Sequence, residues 1–129
     1  MKIGELSKRS NCSIQTIRYY EKEGLLAQAQ RSEGNFRLYD NQALKHLLFI
    51  KHCRNLDISL SEIKELIQLK VNPSLQCKNI NQIFDNHIEQ VNLKIQGLNQ
   101  LKVQLQDLRQ NCTDKQTIES CGILHKLLQ

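Results

Sequence analysis

The sequence predicts a mainly α-helical protein with a winged helix-turn-helix in its first half and a long coiled-coil helix in its second. Two short amphipathic segments are separated by the turn Ser10-Asn11, and a turn-rich stretch follows them. Apolar residues then recur at steps of mostly three and four between Cys77 and Cys112, which is typical of a coiled-coil seam. We therefore expect three regions, at residues 1–72, 73–112 and 113–129.

Composition and charge narrow the class of protein. The 129 residues carry a formal net charge of +5, and residues 1–70 hold 12 lysines and arginines against eight acidic residues. This mild excess lies where a polyanion would bind. The chain has no apolar signal region and no membrane-length apolar run, so a cytoplasmic protein without a membrane partner is expected. Five cysteines, an odd number without a secretion signal, indicate reduced thiols with metal ligands among them.

The first two helices are predicted to form the helix-turn-helix. The first spans about residues 3–9, and Ser13 is the N-cap of the second, at roughly 14–22. Ile14 and Ile17 are expected to face inward. The second helix would enter the major groove of DNA with its outward side chains, which are Thr16, Arg18, Tyr19 and Lys22.

Two side chains of this second helix have alternative roles. Arg18 suits phosphate or guanine, and Tyr19 and Tyr20 add hydroxyls and flat faces for DNA contact. The alternative is a solvated Arg18 and a Tyr20 that belongs to the core.

A small hairpin, the wing, is predicted between Arg31 and Tyr39. Glu33-Gly34-Asn35 is turn chemistry, and after it Phe36 and Leu38 alternate with Arg37 and Tyr39. Arg31 and Arg37 would lie beside the second helix. Two arginines around a Gly-Asn tip favour phosphate contact over a plain hairpin.

Two further helices are expected to complete this region. Asp40 is the predicted cap of a third helix that ends near Asn55, and Ser59 forms a capping box with Glu62 for a fourth. Arg54 and the N-terminus of the fourth helix are suited to bind backbone phosphate. Residues 71–74, with a proline at position 73, end the fourth helix and lead into the long one.

The long helix is flanked by cysteines. Its apolar positions are Ile80, Phe84, Ile88, Val91, Ile95, Leu98, Leu101, Leu105 and Leu108. Cys77 and Cys112 continue this stripe at its two ends, about 50 Å apart along one helix. Pairing with an antiparallel copy would bring Cys77 beside Cys112 of the partner subunit, and Cys121 could return to the same end of the helix. A parallel pairing would instead place Cys77 against Cys77. Periodicity leaves both arrangements open.

Taken together, these motifs resemble the MerR family of metal-responsive transcription regulators over essentially the whole chain. The winged helix-turn-helix is similar at Ile3-Gly4-Glu5-Leu6, Thr16-Ile17-Arg18-Tyr19-Tyr20-Glu21, Gly24-Leu25-Leu26 and residues 31–39. The stretch from Phe49 to Leu60 and the ending Cys121-Gly122-Ile123-Leu124 most resemble the cadmium- and lead-responsive branch, which is CadR/PbrR-like.

The resemblance implies an antiparallel coiled-coil homodimer that binds double-stranded promoter DNA. In this family, metal binding makes the dimer distort the promoter so that RNA polymerase can engage it. Motifs and resemblance together predict nine DNA-binding residues: Thr16, Arg18, Tyr19, Tyr20, Arg31, Asn35, Arg37, Tyr39 and Arg54. The implied metal ligands are Cys77, Cys112 and Cys121, contributed by both chains.

Three thiolates favour a soft metal ion, so Cd(II) or Pb(II) is the expected effector. Hg(II) stays open because the spacing of Cys112 and Cys121 also suits the mercury-responsive branch. Zn(II) is the weaker alternative, since structural zinc usually takes four ligands and no histidine lies between these two cysteines. His87 and His125 are expected at a surface or interface. Cys12 and Cys53 are expected to be small buried hydrophobes.

Two other functions stay open. A cytosolic thiolate metal buffer would have no use for Arg18. A regulator of the same fold that senses an organic ligand or an oxidant would need a larger effector domain than the short tail after Cys112. An enzyme is not expected, because the sequence shows no catalytic triad, paired carboxylates or phosphate loop.

Overall fold

Six α-helices and one two-stranded hairpin make up the chain, and the computed structural model describes every residue from 1 to 129. The elements are α1 Ile3–Ser10, α2 Ile14–Lys22, β1 Gln30–Arg31, β2 Arg37–Leu38, α3 Asn41–Asn55, α4 Leu60–Lys70, α5 Lys78–Arg109, a 3-10 turn Ile118–Ser120 and α6 Gly122–Leu127. They fall into two compact units, Met1–Ile83 and Phe84–Gln129. The predicted mainly helical class, with its helix-turn-helix, wing and long helix, is confirmed. None of the helices combines the length and apolar character needed to cross a membrane.

The helix-turn-helix forms because the residues between α1 and α2 favour a tight turn. Asn11 adopts the left-handed conformation with φ 56°, which asparagine tolerates. Ser13 Oγ accepts the backbone N–H of Thr16 at 3.0 Å, which confirms the predicted N-cap. Ile17 is fully buried, as expected. The inward position predicted for Ile14 is wrong: it opens the helix at the rim of the core and is 37% exposed.

The core of the first unit forms where α1 packs on α2 and α3, and α3 packs on α4. Its fully buried apolar side chains are Leu6, Ile17, Leu25, Leu47, Ile50, Ile58 and Ile63. Two predicted caps hold the ends of these helices. Asp40 Oδ1 accepts the Ala43 N–H at 2.9 Å, and Ser59 and Glu62 form the reciprocal capping box, with bonds of 3.1 and 3.0 Å.

The wing is present but shorter than the predicted stretch. Gln30 pairs with Leu38 and Arg31 with Arg37 in an antiparallel register. Asn35 takes a left-handed conformation with φ 63° at the tip. Tyr39, the residue after β2, is buried at 3% exposure, whereas Phe36 at the tip is 56% exposed. The wing therefore attaches to the core through Tyr39 and presents Phe36 outward.

The second unit consists of most of α5 and the C-terminal segment. α5 ends at Arg109, three residues before the predicted end at Cys112. Beyond it, the Arg109 guanidinium donates to the carbonyl of Cys112 at 2.7 Å, and the Asn111 amide donates to the carbonyls of Asp107 at 2.8 Å and Leu108 at 3.2 Å. The two bonds from Asn111 satisfy carbonyls in the last turn of α5 that a helix end leaves open, and the bond from Arg109 holds the next residues against that end. The chain after Cys112 is consequently anchored to the end of α5.

Candidate DNA interface and metal centre

A basic groove lies between the start of α1, the recognition helix α2 and the wing. It has a volume of about 370 Å³ and is lined by Lys2, Ile3, Arg18, Arg31, Asn35, Phe36 and Arg37. Four of these residues are cationic and none is acidic. Such a groove is suited to the sugar–phosphate backbone of DNA, because clustered cations displace the counterions that DNA carries.

Four of the predicted DNA-binding residues come together in this groove: Arg18, Arg31, Asn35 and Arg37. Lys2 and Phe36 also line it and were not predicted. The Lys2 ammonium lies 4.3 Å from the centre of the Phe36 ring, a cation–π contact. These two residues are 34 positions apart, so no local sequence pattern signals that they meet.

The other five predicted DNA-binding residues do not line the groove. Tyr19 lies on α2 with 46% exposure, and the Thr16 hydroxyl accepts a hydrogen bond from Ser13 Oγ at 2.8 Å within the helix cap. Arg54 donates to the carbonyl of Ile58 at 2.8 Å, between α3 and α4. Direct DNA contact by these three residues stays a prediction.

Tyr20 and Tyr39 lie in the core, with 9% and 3% exposure. Burial raises the pKa of Tyr20, and the charge of Arg54 opposes this effect. The position of Tyr20 agrees with the alternative of a core residue. Only a small part of either tyrosine side chain is accessible, and direct DNA contact through that part stays a prediction.

A carboxylate that the sequence did not single out joins the recognition helix to the wing. Glu21 on α2 accepts hydrogen bonds from the Tyr39 hydroxyl and from the Arg37 guanidinium, the latter at 3.2 Å. The Glu21 side chain is only 7% exposed. Burial, followed by the hydrogen bond to Glu21, raises the pKa of Tyr39 to about 12. The network therefore fixes the end of β2 relative to α2, and with it one cation of the basic groove.

In the second unit the thiols of Cys112 and Cys121 lie close enough for each to shift the pKa of the other, and the Cys112 thiol donates to the carbonyl of Thr113 at 3.5 Å. Cys121 is the N-cap of α6, and the backbone N–H of Leu124, the Cys112 thiol and the N–H of Ile123 together lower the pKa of Cys121. The neighbouring Cys121 thiol is the main cause that raises the pKa of Cys112. Two sulfur donors thus lie together, and the lowered pKa of Cys121 favours the thiolate form that soft metals bind.

The third predicted ligand, Cys77, is exposed and directly precedes α5. Within one chain, no group of three His, Cys, Asp or Glu side chains is placed to hold a metal ion. Cys112 and Cys121 fit a soft ion by their chemistry, but they require at least one further ligand.

The remaining candidates are placed differently. Cys53 is buried, which raises the pKa of its thiol and fits the prediction of a small hydrophobe, while Cys12 is half-buried. The Nε2 atom of His125 is engaged with the carbonyl of Glu119 at 2.8 Å. The burial expected for Cys12 is therefore only partial, while that of Cys53 is complete.

Two protein-family models match the chain. "MerR HTH family regulatory protein" covers residues 1–70, and "MerR, DNA binding" covers residues 44–108. The HTH-type transcriptional regulator ZntR homolog of Haemophilus influenzae is 47% identical over 110 residues, covering 85% of this chain and 82% of that protein. The mercuric resistance operon regulatory protein of Bacillus cereus is 31% identical over 128 residues, covering 99% of this chain and 97% of that protein.

A solved structure is similar over nearly the whole chain. The crystal structure of the transcription regulator PbrR691 from Ralstonia metallidurans CH34 in complex with lead(II) has a TM-score of 0.90 and 49% identity, covering 98% of each chain. The chain belongs to the MerR family of helix-turn-helix regulatory proteins. Among its relatives are a mercuric resistance operon regulator and a regulator solved with lead(II), and these relatives are transcription regulators rather than enzymes.

Proposed function

We propose that the protein is a homodimeric activator of heavy-metal resistance genes that responds to Cd(II) or Pb(II). The observation that carries this proposal is the close approach of the chain at Cys121-Gly122 to Asn111-Cys112 at the end of α5, which brings the two cysteines together. The similarity to a regulator solved with lead(II) supports the choice of metal class. Cys77 of the partner subunit is the proposed third ligand.

The donor set favours a soft ion. Three thiolates without a fourth nitrogen or oxygen ligand suit Cd(II), Pb(II) or Hg(II) better than structural Zn(II), which usually takes four ligands. Hg(II) is the alternative effector, because a mercuric regulator is among the relatives. Metal titration distinguishes these ions.

The exposed seam of α5 supports a homodimer. Seven large apolar side chains on this helix are 38% to 65% exposed in the single chain: Phe84, Ile88, Val91, Ile95, Leu98, Leu101 and Leu105. Soluble proteins rarely leave such a stripe in water, and its spacing is that of a coiled coil. A second copy in antiparallel orientation would cover it and complete two metal sites by symmetry.

The basic groove supports promoter binding, with Arg18 and the wing arginines on the DNA backbone. For metal to activate transcription, it must bind more tightly to one dimer conformation than to the other. We propose that the favoured conformation distorts the promoter into a form that RNA polymerase engages. Part of the binding free energy is then spent on deforming the DNA.

Metal titration tests the sensor. The reduced, metal-free protein is titrated with Cd(II), Pb(II), Hg(II) and Zn(II), while thiolate-to-metal charge-transfer absorption is followed. We expect one soft ion per three-thiol site and no band in Cys121→Ser. Cys12→Ser, a matched substitution in the other unit, should leave the band unchanged. A wild-type protein without a thiolate band would contradict the proposal.

Subunit mixing tests whether the site is shared between chains. Cys77→Ser and Cys112→Ser homodimers should each lack a complete site. A heterodimer of the two variants retains one complete site, formed by Cys77 of one chain with Cys112 and Cys121 of the other. Recovery of one ion per heterodimer supports the shared site. Absence of recovery, in a mixture shown to contain heterodimer, would exclude it.

Salt-dependent binding to promoter DNA distinguishes a regulator from a metal buffer. Arg18→Ala should weaken binding and reduce the slope of log affinity against log salt by about 1. Arg9→Ala is the matched control, because Arg9 lies outside the groove and pairs with Glu5 on α1 at 2.7 Å. Metal binding without any salt-dependent DNA binding would favour the buffer.

A further inference from the structure

We infer that Gly122 is a positioning residue of the proposed metal centre, because its missing side chain lets Cys121 reach Cys112; this inference rests on the proposed function. A Cβ atom built on Gly122 would lie 2.2 Å from the backbone oxygen of Asn111. Real Cβ atoms essentially never approach a heavy atom so closely. Position 122 therefore has no room for a side chain in this arrangement.

Space, rather than backbone conformation, is what requires glycine here. The only glycine with a positive φ is Gly24. Gly4 and Gly97 have nothing within 4 Å of a built Cβ, and the built Cβ of Gly34 meets mainly the Phe36 ring, at 3.1 Å. Gly122 is thus the one glycine whose Cβ would strike backbone.

The backbone that Gly122 contacts is held in place. The Asn111 amide donates to the carbonyls of Asp107 at 2.8 Å and Leu108 at 3.2 Å, and the Asn111 N–H donates to Leu108 at 3.0 Å. The neighbouring carbonyl of Cys112 accepts from Arg109 at 2.7 Å. Because these bonds tie Asn111 to the last turn of α5, a side chain at 122 would move the returning segment rather than Asn111.

The two contact residues are the direct neighbours of the two cysteines. Asn111 precedes Cys112, and Gly122 follows Cys121, so close approach of the backbones at 111 and 122 sets the thiols side by side. The intervening loop is closed on itself: Gln116 accepts the Thr113 N–H at 2.8 Å and donates to the Ser120 carbonyl at 3.3 Å. A displacement at 122 would then carry Cys121 away from Cys112.

The test compares Gly122→Ala with Gly4→Ala, the same substitution at a position with open space. Cd(II) affinity is measured by competition with a chelator, following the thiolate-to-metal band. We expect Gly122→Ala to weaken binding by about 10- to 100-fold, as losses of ligand-supporting contacts do. Its band intensity per ion should also fall, because a thiolate is lost. Gly4→Ala should match the wild type.

A second measurement separates positioning from general unfolding. Metal-free proteins are treated with diamide, which oxidises two adjacent thiols to a disulfide and is itself reduced to the hydrazine, and the Cys112–Cys121 disulfide is quantified by mass spectrometry. Gly122→Ala should form it more slowly while retaining wild-type helicity and DNA binding. Wild-type rates and wild-type Cd(II) affinity in Gly122→Ala would overturn the inference and leave the proposed function standing. A wild-type protein without any thiolate band would instead remove the proposed function, and the inference with it.

Discussion

Removal of the Tyr39 hydroxyl tests how strongly the network around Glu21 holds the wing to the recognition helix. In Tyr39→Phe the ring stays in the core, but Glu21 loses the hydroxyl that donates to it and keeps only Arg37. A hydrogen bond to a charged, nearly buried group contributes about 1.5 to 3 kcal/mol. We expect the free energy of unfolding to fall by this amount at neutral pH.

The raised pKa of Tyr39 adds a pH dependence to this prediction. Burial and the hydrogen bond to Glu21 raise this pKa from 10.0 to about 12 in the folded protein. The difference between these values corresponds to about 2 to 3 kcal/mol. Below pH 10 the phenol is protonated in both states, so the stabilisation is complete. Between pH 10 and about 12 the unfolded chain ionises first, and the stabilisation is lost as the pH rises.

The measurement is urea unfolding followed by circular dichroism, from pH 7 to 12, at a fixed protein concentration. Other groups titrate in both proteins, so the informative quantity is the difference in unfolding free energy between wild type and Tyr39→Phe. It should shrink towards zero as the pH approaches 12. Tyr19→Phe, which removes an exposed hydroxyl, is the control and should differ little from wild type. A wild-type advantage that stays constant from pH 9 to 12 would refute the reasoning.

Two further predictions concern local features of the first unit. Ser59→Ala removes one half of the capping box at α4 and should lower the unfolding free energy by about 1 kcal/mol, measured by urea unfolding. Ser61→Ala removes only a hydroxyl that lies 3.1 Å from the Ser59 hydroxyl and leaves the bonds of the capping box in place, so it should cost less. Gly24→Ala places a side chain at φ 77° and should destabilise by roughly 1 to 2 kcal/mol. Gly4→Ala, inside α1 with open space around the added Cβ, should instead raise the unfolding free energy by about 0.5 to 1 kcal/mol. Equal effects of the two glycine substitutions would contradict the role of backbone conformation.

Local chemistry explains why most elements could be predicted from the sequence. A cap involves residues three apart, so Ser13, Asp40 and the Ser59–Glu62 pair indicate where α2, α3 and α4 begin without knowledge of the fold. The turn at Asn11 is equally local. Ile14 shows the limit of this reasoning, because periodicity assigns it to the buried stripe while the edge of the core leaves it partly exposed.

Contacts between distant residues were decided by the tertiary structure alone. Glu21, Arg37 and Tyr39 form one network, and Lys2 lies over Phe36, although no spacing rule relates these positions. The sequence by itself singled out Cys112 and Cys121 as candidate ligands, but the thiol contact depends on how the chain returns to the end of α5. Gly122 gave no signal of its own, because the need for glycine there comes from the approach of the Asn111 backbone, and a close approach between separate segments exists only in the folded chain.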